Sequence, residues 1–181
     1  MFSHPFDTGC MLVLGGARSG KSDFALKTCN ALERKRIFLA TAQAGDEEML
    51  ARIRKHQAER GPGWTTVEEP LFITEQIKAI DGPETVILLD CLTLWLSNLF
   101  MTHGEDEEAV EKNMLAFCDT LPSLKGALVV VSNEVGLGIV PGDALSRRFR
   151  DSAGWMNQRV AEKAVKVAML VAGLPLVLKD E

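Results

Sequence analysis

The chain has 181 residues, 46% of them hydrophobic, and a formal net charge of −5. That length favours one domain burying roughly 70% of its unfolded surface, and the acidic balance leaves no global basic field to hold nucleic acid. The four cysteines, Cys10, Cys29, Cys91 and Cys118, make no C-x-x-C pair, which favours reduced thiols over a disulfide framework or zinc site. The start lacks the basic-then-apolar signature of a signal peptide. The apolar stretch 167–178 is broken by Gly173 and Pro175, so no membrane span is expected, and the expected location is cytoplasmic.

Residues 1–10 read as a loose N-terminal leader and 11–181 as a single nucleotide-binding domain. In chain order the apolar runs and helical periods predict a strand at 11–15, a helix at 20–33, a strand at 36–41 and a helix at 45–60. A strand at 64–68, a helix at 70–79, a strand at 85–90 and helices at 91–102 and 106–121 follow. A strand at 126–132, a long helix at 143–165 and strands at 167–172 and 175–179 complete the pattern. The runs Thr85–Leu89 and Ala127–Val131 lack polar alternation, as central strands buried on both faces do. The last two strands, separated by Gly173-Leu174-Pro175, suit an antiparallel hairpin at one edge. The expected fold class is therefore α/β: a mostly parallel sheet with an antiparallel edge strand and helices on both faces.

The chemistry starts at Gly15-Gly16-Ala17-Arg18-Ser19-Gly20-Lys21-Ser22, which follows Met11-Leu12-Val13-Leu14 and precedes a helix pattern. This is the G-x-x-x-x-G-K-[ST] phosphate-binding loop in its proper strand-to-helix setting. Its backbone N–H groups and the helix start cradle polyphosphate, Lys21 can reach the β/γ-phosphates, and the Ser22 hydroxyl can ligate Mg²⁺. Asp90 closes the run Val86-Ile87-Leu88-Leu89; P-loop proteins hold Mg²⁺ from such a position, while an Asp there can also cap the next helix. On a helix Arg52, His56 and Arg60 share one face. Flanking guanidiniums keep the imidazole neutral and nucleophilic; a solvated face, with Glu47, Glu48, Lys55 and Glu59, fits the same spacing. Ser132-Asn133-Glu134-Val135-Gly136 suits a ligand-facing loop at a strand end. Arg147, Arg148 and Arg150 form a cluster that meets phosphate or pairs with surface carboxylates such as Asp143 and Asp151. His4 and His103 are expected in solvated loops. N-K-x-D occurs nowhere in the chain, and Asp90-Cys91-Leu92-Thr93 does not provide a D-x-x-G switch, which argues against a signalling GTPase.

The ordered set Gly15–Ser22, Ala40-Thr41-Ala42-Gln43, Arg52-Ile53 with His56 and Arg60, and Ser132–Gly136, with Gly138-Ile139-Val140-Pro141 and Phe149-Arg150-Asp151 through Asn157-Gln158-Arg159, resembles a known family. It is that of the bifunctional adenosylcobinamide kinase/adenosylcobinamide-phosphate guanylyltransferases of cobalamin biosynthesis. The resemblance implies a RecA-like P-loop fold, a homotrimer, and two reactions. In the first, ATP or GTP phosphorylates adenosylcobinamide. In the second, GTP donates GMP to adenosylcobinamide phosphate through a guanylyl-histidine, at His56 in this chain. Implied nucleotide contacts are Gly15, Gly16, Ala17, Arg18, Ser19, Gly20, Lys21, Ser22, Thr41, Ala42, Gln43, Gln57, Ala58, Glu59, Arg60, Glu68 and Asp90, with Ser22 and Asp90 toward Mg²⁺. Two positions depart from some relatives: Asp90 stands where Glu occurs, and Lys55 where a second His occurs. Two other readings stay open on the residues alone, a single-function P-loop kinase for another small molecule and a non-enzymatic nucleotide-binding regulator.

Overall fold

The computed structural model describes residues 2, 6–42, 47, 60–104 and 106–181. Its strands are β1 (Gly9–Gly15), β2 (Lys35–Ala40), β3 (Trp64–Glu68), β4 (Thr85–Asp90), β5 (Ala127–Asn133), β6 (Lys166–Val171) and β7 (Leu174–Asp180). Its helices are α1 (Lys21–Asn30), α2 (Ile73–Ile80), α3 (Leu92–His103), α4 (Glu107–Thr120) and α5 (Ala144–Lys163), with a 3-10 turn at Leu121–Ser123. The helix expected at 45–60, with His56 in it, lies outside the described residues except for Glu47 and Arg60.

The strands form one seven-stranded sheet in the order β3-β2-β4-β5-β1-β6-β7. Every neighbouring pair is parallel except β6 and β7. Side chains alternate between the two faces of each strand, and the central strands are apolar on both. Leu12, Leu39, Ile87, Leu89 and Val130 enter the layer shared with α2, α3, α4 and α5. Met11, Val13, Phe38, Leu88 and Val131 enter the layer beneath α1, where Phe6 is also buried. The absence of polar alternation in β4 and β5 thus has its expected meaning: both faces are covered.

Local chemistry sets the helix ends. Asp106 accepts a hydrogen bond from the Ala109 N–H at 3.0 Å and starts α4, whose Val110, Met114 and Phe117 are buried on one stripe. Asp143 caps α5 in the same way, accepting from the Ser146 N–H at 2.8 Å. Helix α2 begins at Ile73, three residues later than the spacing predicts. Glu69 Oε1 accepts from the N–H groups of Leu71 and Phe72 at 2.9 and 2.8 Å, which holds that stretch as a turn. His103 closes the last turn of α3 instead of lying in a loop, and His4 is outside the described residues.

The edge hairpin also differs in detail. Its turn is Ala172-Gly173, with φ of 52° and 81°. A two-residue turn with both central φ positive matches the twist of the flanking strands. Pro175 belongs to β7 rather than to the turn, which a strand at the sheet edge tolerates.

Candidate active site

Strand β1 ends in the phosphate loop, and α1 starts immediately behind it. Gly20 gives the first turn of α1 no side-chain cap, and the start of a helix favours an anion. Gly15 cannot be replaced without rearrangement, because a Cβ there would lie 2.4 Å from Ser19 Oγ and 2.8 Å from the Leu170 carbonyl oxygen. Lys21 is buried, and its Nζ donates to the Gly16 carbonyl at 2.9 Å, so the ammonium lies folded over the loop. Ser19 Oγ is buried with no hydrogen-bond partner. The Gly173 N–H donates to the Ser19 carbonyl at 2.9 Å, which ties the edge hairpin to the loop.

Strand register brings the other expected residues to the same carboxyl edge. Glu68, Ala40, Asp90 and Val131 stand opposite one another on β3, β2, β4 and β5. Opposed residues point to one face, and Ala40 and Val131 assign this one to α1. There a cavity of about 430 Å³ is lined by Ser22, Asp23, Leu26, Phe38, Arg60, Leu88, Asp90 and Val131. It unites Ser22, Arg60 and Asp90, which are far apart in sequence; Glu68 is exposed on the edge strand β3.

Arg60, one of the implied nucleotide contacts, lines this cavity. It is only 8% exposed, with its guanidinium carbon 3.6 Å from the centre of the Phe38 ring. Its Nη2 donates to Thr66 Oγ1 at 3.3 Å, whereas Nη1 is buried without a hydrogen-bond partner. Burial lowers the guanidinium pKa, and the Asp90 carboxylate opposes that shift; the group stays cationic. A buried cation with an unused donor at a phosphate loop is a ready partner for an anionic oxygen.

Thr41 is fully buried. Its Oγ1 accepts from the Cys91 N–H at 2.9 Å and lies within donating distance of the Cys91 and Asp90 carbonyls, at 2.9 and 3.2 Å. The side chain therefore fixes the backbone around Asp90. Ala42 is half-buried beside it, and Gln43, His56, Gln57, Ala58 and Glu59 lie outside the described residues.

Sequence reasoning missed a scaffold of asparagines. Asn98 Nδ2 donates to the carbonyls of Thr41 and Pro70 at 2.8 and 3.0 Å. Asn133 Nδ2 donates to Thr93 Oγ1 at 2.7 Å, and Asn157 Nδ2 to the Asn133 carbonyl at 3.2 Å. Ser132 Oγ donates to Asn157 Oδ1 at 2.7 Å. These bonds join the end of β2, the stretch after β3 and the end of β5 to α3 and α5, and Asn133 serves this frame rather than facing outward. The only signal was an asparagine within the apolar run of α3. The arginine cluster meets carboxylates and carbonyls: Arg148 pairs with Glu107 at 3.1 Å and Arg150 with Asp151 at 2.9 Å, and Arg147 donates to the Pro141 and Gly142 carbonyls.

A parallel sheet, a P-loop cradle and an acidic residue at the end of the second neighbouring strand define a P-loop nucleotide-binding protein of RecA-like fold. The fold is similar to that of a type III secretion ATPase of pathogenic bacteria, with TM-score 0.58, 13% identity, 93% of this chain covered and 56% of that one. It is also similar to the flagellar accessory protein FlaH of Methanocaldococcus jannaschii, with TM-score 0.52, 13% identity and coverages of 96% and 79%.

The family model described as cobinamide kinase / cobinamide phosphate guanyltransferase matches residues 11–178, and the chain belongs to that family. It is 44% identical over 170 residues to the bifunctional adenosylcobalamin biosynthesis protein CobP of Pseudomonas aeruginosa, covering 94% of this chain and 97% of that protein. It is 37% identical over 183 residues to the bifunctional adenosylcobalamin biosynthesis protein CobU of Escherichia coli, covering 93% and 99%.

Proposed function

We propose that this chain carries out both reactions of its family, using one carboxyl-edge site and His56 as a covalent carrier. The observation that supports this most is the cavity that gathers Ser22, Asp90 and Arg60 beside the phosphate loop. In the kinase step the aminopropanol hydroxyl of adenosylcobinamide attacks the γ-phosphorus of ATP or GTP. The bond to the departing nucleoside diphosphate breaks as the new P–O bond forms, and the hydroxyl proton passes to a carboxylate, for which Glu134 and Asp90 are the candidates. Lys21 leaves the Gly16 carbonyl for the phosphates, and the loop N–H groups hold them in line.

In the transfer step a neutral His56 nitrogen attacks the α-phosphorus of GTP, and the α–β bridging bond breaks to release pyrophosphate. An oxygen of adenosylcobinamide phosphate then attacks the same phosphorus. The P–N bond breaks, giving adenosylcobinamide-GDP and free His56. Arg60 directs its unused N–H donor at the phosphate charge. Thr41 and Asn98 hold the β2 and β4 ends in place, and Glu68 offers a carboxylate to the guanine edge.

The site's chemistry fits a divalent cation, since a hydroxyl and a carboxylate line the same cavity and Mg²⁺ needs few protein ligands beside phosphate and water. Ser22 and Asp90 would hold Mg²⁺, which would neutralise phosphate charge. Among the described residues no helix is long and apolar enough to cross a membrane. A homotrimer in the cytoplasm completes this reading.

GTP labelled at the α-phosphate tests the covalent step. With Mg²⁺ present, the wild type acquires an acid-labile adduct that His56→Ala lacks, while His56→Ala keeps most kinase turnover. Absence of an adduct on an enzyme that converts adenosylcobinamide phosphate refutes the carrier role.

A further inference from the structure

The loop after β5 carries Leu137, Ile139 and Val140, exposed at 79%, 97% and 61%. Three apolar side chains so open to water on one short connection are unusual unless something covers them. Below this lip lies a second recess, of about 530 Å³, walled by Phe100 and Met101 of α3, Val135 of the loop, and Leu145, Phe149 and Arg150 of α5. Met101 and Leu145 are themselves 82% and 62% exposed, although each stands beside the Phe100–Phe149 ring pair, whose centroids are 5.9 Å apart. The volume lies within the ordinary range for small-molecule sites. Its floor is rigid aromatic surface, while its polar groups are few: Ser97, Ser146 and the Arg150 guanidinium.

Two bonds connect this recess to the phosphate site. The Glu134 N–H, one residue before Val135, donates to the Gly15 carbonyl of the phosphate loop at 3.1 Å. Asn98, one residue after Ser97, donates to the carbonyl of Thr41, whose hydroxyl fixes the Asp90 backbone. The recess and the nucleotide cavity are thus built on the same strand ends, with the recess on the α3/α5 side and the nucleotide cavity on the α1 side. Among the described residues, this recess offers an adjoining surface to a substrate that reacts at the phosphate loop yet is too large and too apolar for a nucleotide cavity.

We infer that the α3/α5 recess and its apolar lip form the subsite that holds the macrocycle of the corrinoid substrate. Its methyl-bearing rim lies on Met101, Leu145 and the lip, and its amide carbonyls accept from Arg150. The hydroxyl-bearing arm then reaches over the β5 end to the phosphate loop. This inference rests on the proposed cobinamide chemistry and adds the place where that substrate binds.

The experiment measures adenosylcobinamide binding by equilibrium dialysis, read from the corrinoid's visible absorbance, alongside steady-state KM values for corrinoid and nucleotide. The variants are Met101→Asp, Leu145→Asp and Met101→Leu. Both Asp substitutions fall at solvent-open positions, and a thermal midpoint verifies folding. Each should weaken corrinoid binding and raise corrinoid KM about tenfold, the scale of one lost apolar side-chain contact. Nucleotide KM should stay within about twofold, and Met101→Leu should retain wild-type corrinoid affinity. Unchanged corrinoid affinity in both Asp variants overturns the inference. So does a changed sedimentation state with unchanged corrinoid affinity, which assigns the patch to a second copy of the chain. A wild type that binds nucleotide but no adenosylcobinamide removes the proposed function itself, a result distinct from either.

Discussion

Arg60 leaves a buried donor unpaired at the nucleotide cavity. Its guanidinium is desolvated over Phe38 and has one donor engaged by Thr66 and another unused. Arg60→Lys keeps the charge but removes the planar fork, so kcat/KM for GTP should fall about tenfold with the labelled-adduct stoichiometry as a second readout. Equal kcat/KM in wild type and Arg60→Lys would mean that the unused donor serves no phosphate. The residue was legible in the sequence as a partner of His56 on one helix face. Its seat over Phe38 was not, since Phe38 belongs to β2 and meets Arg60 only through the tertiary fold. Lys21 and Ser22 are the opposite case: eight contiguous residues define their cradle, so a local pattern was enough.

Helix and turn boundaries obey local hydrogen-bond chemistry, and their tests belong at that scale. The Ser146 N–H holds the Asp143 carboxyl below its ordinary pKa at the start of α5. A carboxylate with a depressed folded pKa stabilises the fold above its unfolded value of about 3.9. That contribution disappears as pH falls through the folded value. Asp143→Ala should therefore lower the urea midpoint at pH 7 and converge with wild type in acid; a constant difference across that window would contradict the cap. At the edge hairpin, Gly173 has φ 81° and its N–H bonds the phosphate loop. Gly173→Ala should cost about 1 kcal/mol in denaturant unfolding, the penalty of a Cβ in the left-handed region. Element identities were readable because the apolar runs and helical stripes are strongly periodic. The delayed start of α2 was not, because it depends on how Glu69 folds back on two backbone N–H groups.

For the whole molecule, the two core layers meet across one sheet, and all four cysteines are buried in them. Burial pushes the Cys118 thiol up to about 11 and raises those of Cys10, Cys29 and Cys91 as well. A thiol reagent at pH 8 should therefore modify none of the four in the native protein and all four in denaturant, with reaction tracking global unfolding. Rapid labelling of one cysteine under native conditions would show that its layer opens independently. The same layered packing explains the two carboxyl-edge recesses: the sheet separates a cavity under α1 that carries Ser22, Asp23, Arg60 and Asp90 from an apolar one between α3 and α5.

By itself the sequence determined the phosphate loop, the parallel α/β pattern, the buried central strands and the family, because each rests on contiguous residues, short-period repetition or an ordered set of motifs. Only the tertiary structure decided that Asp90, Ser22 and Arg60 share one cavity, that Thr41 and three asparagines frame it, and that exposed apolar side chains from α3, α5 and the β5 loop converge beside it. Those facts depend on strand order and register, which bring together residues separated by dozens of positions, and no local propensity encodes that distance.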